Sequence, residues 1–212
     1  MGREFIDMFD EWAETYDDTV TGQDPQYKEV FDKYNEILQT VADAAEGNTL
    51  EFGVGTGNLS EKLLAKGLNV TGIEPSKEMR EHASRKFPQL QIVDGDFLSF
   101  PDLHHEVSAI VSTWAFHHLT DEEKEQAIFR YSKLLPKGGK VIFADTVFSS
   151  EENRDQLIQE EKDKGYDRLV QDLTTEYYTT MQVLRNIFQT HGFHVTFKQM
   201  NRFVYLITAE KA

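Results

Sequence analysis

The sequence predicts an α/β protein built on a mainly parallel sheet with crossover helices, and three observations predict it. From residue 48 onward, short apolar runs of strand length alternate with stretches of helical periodicity. Three glycines at 53, 55 and 57 join the first of these strands to a helix. Finally, two closing apolar runs are parted only by Met200, Asn201 and Arg202, which reads as an antiparallel hairpin on the sheet edge.

The chain has 212 residues, close to one large domain, and 39% of them are hydrophobic, with 15 Phe, 8 Tyr and 2 Trp among them. That content supports a buried core despite a mean hydropathy of -0.53. Lys and Arg total 22 against 37 Asp and Glu, a net charge of -15 that repels phosphate backbones and anionic lipid. Neither nucleic acid nor a membrane is therefore an expected partner. The absence of cysteine excludes a disulfide framework, a thiolate zinc site and a cysteine nucleophile. No window approaches about 18 consecutive apolar residues, and the opening stretch has acids where a signal peptide would be basic and then apolar. A cytoplasmic location is expected.

Residues 1 to 46 read as a helical cap. Within the first 24 residues Arg3 stands against eight acids, while Phe5, Phe9, Trp12, Ala13 and Tyr16 recur at spacings of three and four. The result is one aromatic stripe on an otherwise acidic helix, fit for core packing and equally for closing a lid over a pocket. A second helix is expected with Asp24 as N-cap, Pro25 at its first position and Gly47 as its stop. Residues 47 to 148 hold the central core. Strands are expected at 49–52, 69–73, 91–93, 107–112 and 140–148, with helices at 58–66, 77–87 and 121–135 between them. Ser76 is a good N-cap, and Thr120 with Glu123 makes a capping box. Residues 149 to 212 complete the domain with a charged helix near 150–164, a second near 174–190, and closing runs at 193–199 and 203–208.

The strongest motif is LEFGVGTGNLS, residues 50–60, where a strand runs into Gly53, Gly55 and Gly57 and then into a helix. Glycines at this junction permit a tight turn and let a ligand approach the main chain beside a helix N-terminus. A dinucleotide fingerprint would require its third glycine at 58, where Asn58 stands, which argues against a nicotinamide-dependent oxidoreductase. The next strand ends in Glu74, whose carboxylate can accept two hydrogen bonds from ribose hydroxyls or, taken alone, simply be a solvated loop acid; its interval from the glycine loop favours the first. The third strand leads into VDGDFL, bringing Asp96 and Phe97 to the same ligand-binding edge.

The glycine loop, Glu74, Asp96 and the LLPKGG turn before the fifth strand together resemble the class I S-adenosylmethionine-dependent methyltransferases. That resemblance implies a Rossmann-like, doubly wound, seven-stranded sheet with its last strand antiparallel. It implies S-adenosylmethionine as cofactor and S-adenosylhomocysteine as product. Residue by residue, it sets Gly53, Gly55 and Gly57 against the methionine part, Glu74 on the ribose, and Asp96, with Phe97 beside it, at the adenine. Glu51 would lie near the cofactor amino group, through water, and Tyr16 in the cap would cover the cofactor. Glu106 departs from the aspartate that begins strand four in many members. By length and layout the chain is most similar to the small, uncharacterised YrrT family.

A sulfonium already activates its methyl group, so such an enzyme chiefly aligns the nucleophile and excludes water. The expected acceptor is a small molecule, with the chain a monomer or homodimer; a non-catalytic S-adenosylmethionine-binding or sensing protein is the alternative. His117 and His118, directly after strand four, are the candidates for a general base. One can face the pocket with the other packed behind it, or both can hold the loop by hydrogen bonds. His104 and His105 fall in a polar loop, and the histidine spacings suggest no metal site. The acids Glu14, Asp17 and Asp18 would suit a cationic acceptor, or simply solvate a helix face.

Overall fold

The computed structural model describes Ile6, Asp17, Val20 and residues 24–103 and 105–212. The aromatic stripe with Trp12 and Tyr16, and His104, lie outside the described residues. The ordered elements are α1 (Tyr34–Ala44), β1 (Asn48–Phe52), α2 (Asn58–Ala65), β2 (Asn69–Ile73), α3 (Lys77–Lys86), β3 (Gln91–Val93) and β4 (Ala109–Thr113). They continue through a 3-10 turn (Phe116–His118), α4 (Asp121–Leu134), β5 (Lys140–Thr146), α5 (Glu151–Asp163), α6 (Asp167–Thr175), α7 (Met181–Thr190), β6 (Phe193–Gln199) and β7 (Val204–Lys211).

The seven strands form one sheet in the order β3-β2-β1-β4-β5-β7-β6. The first five run parallel, and β7 enters antiparallel between β5 and β6. Alternation along β5 feeds two cores: Ile142 and Ala144 face Ile37, Val41, Leu63 and Leu157, whereas Val141 and Phe143 face Ile128, Tyr131, Leu184 and Phe188. Helices therefore cover both faces, as the doubly wound reading requires. The strand order reverses between β1 and β4, and the carboxyl ends of those two strands open a crevice there. No helix among the described residues is long and apolar enough to cross a membrane.

The helix expected from Asp24 begins only at Tyr34. Asp24 does cap locally, its Oδ1 accepting from Gln26 N at 3.0 Å, but residues 25–33 form turns and Lys33 is left-handed, with φ +60°. The cause is tertiary. Asn201, in the β6–β7 turn, donates to the carbonyls of Val30 and Asp32 at 3.0 and 2.9 Å, diverting acceptors that a continuous helix would use. The single helix expected near 174–190 is instead α6 and α7 with an extended break. That break is fixed by Phe148, which donates to Thr179 O and accepts from Met181 N at 3.1 and 2.8 Å. The capping box on α4 forms as expected, with Thr120 and Glu123 each accepting from the other's backbone N–H.

Candidate functional site

The turn out of β1 is left-handed at alternate residues: φ is +67° at Gly53, +55° at Gly55 and +89° at Gly57. A Cβ on Gly53 would come within 2.8 Å of Ala115 Cβ, and one on Gly57 within 2.9 Å of the Phe87 ring. A Cβ on Gly55 would meet nothing within 4 Å, because this residue borders open space. That space is a cleft of about 680 Å³ over the carboxyl ends of β1, β2, β3 and β4. Gly53 and Gly55 form one side, Glu74 and Met79 a second, Asp96 and Phe97 a third, and Trp114, Ala115 and His118 a fourth.

Glu74 is buried, its Oε2 accepting from Gly55 N and its Oε1 from Ser76 N, both at 2.9 Å. It thus pins the glycine loop to the end of β2. Asp96 Oδ1 accepts from Leu98 N and Ser99 N at 2.9 and 2.8 Å, which fixes the carboxylate at the cleft wall. Phe97 stacks on Phe52 with centroids 5.1 Å apart. Glu51 sits on β1 beneath the loop, 1% exposed; Ser60 Oγ donates to its Oε2 at 2.6 Å while its Oε1 is buried without a partner. Burial pushes this carboxyl up to about 8.

The two histidines divide as one facing and one supporting residue. His118 lines the cleft. His117 lies behind it, its Nδ1 2.6 Å from Asp145 Oδ1, its backbone N–H donating to Asp145 Oδ2 at 3.1 Å, and its Nε2 3.3 Å from Glu176 Oε2. Tyr178 stacks on the His117 ring at 4.7 Å and hydrogen-bonds Glu176. Burial opposes a charge on His117, but Asp145 and Glu176 outweigh it and raise the imidazole to about 10. Burial and the adjoining His117 charge lower His118 to about 3. Buried Lys124 donates to the carbonyls of Leu119 and Tyr177, tying the histidine loop to the segment that carries Glu176.

The cleft thus gathers Gly53, Gly55, Glu74, Asp96, Phe97 and His118, with Gly57 and Glu51 supporting it from below. Tyr16 lies outside the described residues. Asp17 is committed to the chain itself: its Oδ1 accepts from Thr56 and Asn58 at 2.6 and 2.9 Å, and Lys86 lies 2.6 Å from its Oδ2. That occupancy removes it as a free anion for a cationic acceptor. Sequence reasoning missed Trp114, whose backbone is left-handed at φ +47° and whose buried Nε1 has no partner. It also missed Asp145, Glu176 and Tyr178, none of which stands in a local motif. Among the described residues one group of metal-ligating side chains converges, His117, His118 and Glu176, with ligand atoms all within 4.8 Å of one another.

Comparison with known proteins agrees with this geometry. Residues 49–139 match the family model described as a methyltransferase domain. An uncharacterized methyltransferase of Bacillus cytotoxicus is 54% identical over 212 residues, covering 100% of both chains. Another from Anoxybacillus flavithermus is 54% identical over 211 residues, again covering 100% of both. Among solved structures, magnesium protoporphyrin IX methyltransferase from Synechocystis PCC 6803 with bound SAH is similar over 100% of both chains, with a TM-score of 0.75 and 16% identity.

Proposed function

Because the chain belongs to the class I S-adenosylmethionine-dependent methyltransferases, we propose that it transfers the methyl group of that cofactor to a small-molecule acceptor in the cleft between β1 and β4. The observation that carries this reading is the convergence of the glycine loop, Glu74 and Asp96 on one cleft. The residues fit the cofactor. Glu74 brings a buried carboxylate to the cleft edge, of the chemistry that ribose hydroxyls take as an acceptor, and the Asp96 carboxylate suits the adenine amino group. Gly55 leaves the room that a Cβ would fill, and the unpartnered Oε1 of Glu51, buried beneath the loop, suits the amino group of the methionine part through a bridging water. Phe97 supplies an apolar wall, and Tyr16 is assigned the covering role.

The bound cofactor supplies a methyl group already activated by its sulfonium. The chain's own residues align the acceptor and exclude water. His118 lines the cleft, which makes it the histidine suited to meet the acceptor, while its ring packs on that of His117, with centroids 4.1 Å apart, and His117 is held by its carboxylate partners. Length and layout support a place in the YrrT family, and we assign its action to the cytoplasm. Calorimetry tests the reading: the parent binds S-adenosylmethionine and S-adenosylhomocysteine, and Glu74→Ala weakens both about 10- to 100-fold. Tight NAD binding with no response to either ligand would overturn it. Release of S-adenosylhomocysteine in a panel of small amines, thiols, carboxylates and phenols tests turnover; binding without release from any of them favours a cofactor sensor.

A further inference from the structure

We propose that His117, His118 and Glu176 form a binding site for one divalent transition-metal ion at the wall of the cleft. The donor set is two imidazoles and one carboxylate, which suits zinc and its neighbours better than magnesium or calcium, whose ligands are oxygens. The spacing fits as well. His117 Nε2 and Glu176 Oε2 stand 3.3 Å apart, close to the edge of a tetrahedron with metal bonds of about 2.0–2.1 Å. The third donor, a ring nitrogen of His118, lies within the 4.8 Å span of the group.

The surroundings are those that metal-binding histidines require. The other nitrogen of His117 faces a carboxylate, with Nδ1 2.6 Å from Asp145 Oδ1, which orients the ring and directs Nε2 toward Glu176. Asp145 is itself fixed, since His117 N donates to its Oδ2 and Thr146 N to its Oδ1, the latter at 2.7 Å. Tyr178 holds Glu176 by a hydrogen bond and stacks on His117. Lys124 bridges Leu119 and Tyr177, keeping the two ligand-bearing segments together. In the metal-free chain Glu176 faces the Nε2 hydrogen of His117; the ion takes the place of that proton, which leaves to solvent. Three protein ligands leave a fourth position, as in catalytic zinc sites. One of the three ligands, His118, lines the cleft, so an oxygen, nitrogen or sulfur atom of an acceptor held there is suited to fill that position. The acceptor contact rests on the methyl-transfer reading, whereas metal binding does not.

The test is metal binding measured without turnover. The full chain, stripped with chelator, is titrated with zinc chloride by calorimetry and with cobalt chloride by visible absorption. The expected result is one ion per chain, bound with a dissociation constant of about 10 µM or tighter, and a cobalt spectrum of tetrahedral type. Glu176→Gln and His118→Asn each weaken binding at least 100-fold, Asp145→Asn weakens it about 10- to 100-fold, and His105→Asn with His194→Asn leaves it unchanged. Circular dichroism of the stripped variants shows which are folded, and His118→Asn decides the matter if Glu176→Gln is not. A parent that binds no zinc, or binding that persists in folded His118→Asn, overturns the site and leaves His117 a buried ion-pair partner of Asp145 and Glu176. Cofactor binding in the stripped parent is measured in parallel, so that failure of the metal site and failure of the methyl-transfer reading are told apart.

Discussion

Burial raises the Glu51 carboxyl to about 8; the Ser60 hydroxyl works against this and the nearby Glu74 charge adds to it. The folded chain therefore holds a proton that the unfolded chain releases above its ordinary carboxylate range. Stability is greatest below the ordinary value of 4.5 and falls as pH rises toward about 8, because ionising this carboxyl in the folded state is costly. Across that window the denaturant midpoint of the parent is expected to fall relative to Glu51→Gln, by a few kcal/mol in stability. Parallel curves would refute it. The same residue makes a prediction for binding. If Glu51 meets the cofactor amino group as a carboxylate, binding of S-adenosylhomocysteine at pH 7 releases about one proton more in the parent than in Glu51→Gln. Calorimetry in buffers of different ionisation enthalpy measures the difference. Glu51 was legible in the sequence only through the resemblance; its charge state was not, because burial and the Ser60 hydroxyl arise from packing.

The loop between β1 and α2 was legible because its requirement is local: alternate left-handed residues that only glycine adopts without strain. Substitutions there separate two costs. Gly53→Ala meets both the conformational penalty and the 2.8 Å approach to Ala115, so it should destabilise the chain by about 2 kcal/mol or more. Gly55→Ala meets only the conformational penalty, about 1 kcal/mol, but its methyl enters the space beside Glu74 and should reduce cofactor affinity more than stability. Chemical denaturation and calorimetry on the two variants check the ranking, and equal effects of both on both readouts would count against it. The capping box on α4 was likewise readable, since its partners stand three residues apart. The break between α6 and α7 was not, because Phe148 makes it from another part of the chain.

Across the whole molecule, residues remote in sequence close the fold around the cleft. Arg202 on the β6–β7 turn pairs with Glu29, Glu160 and Glu161, joining the segment before α1 to α5. Asp17 reaches the glycine loop and Lys86 on α3. Since Asp17 and Lys86 are partly exposed, a double-mutant cycle with Asp17→Asn and Lys86→Met should give a coupling of about 0.5 kcal/mol, shrinking in high salt. A coupling above about 2 kcal/mol, or one indifferent to salt, would show that the pair is screened from solvent. By itself the sequence determined the α/β alternation, the glycine turn, and the acids at the ends of β2 and β3, since strand period, turn conformation and strand-end position are set by neighbouring residues. Only the tertiary structure decided that His118 faces the cleft with His117 behind it, between Asp145, 28 residues away, and Glu176 on a later segment. That apposition depends on β5 lying beside β4 and on Lys124 tying the segment after α6 to the histidine loop, long-range packing that no local pattern encodes.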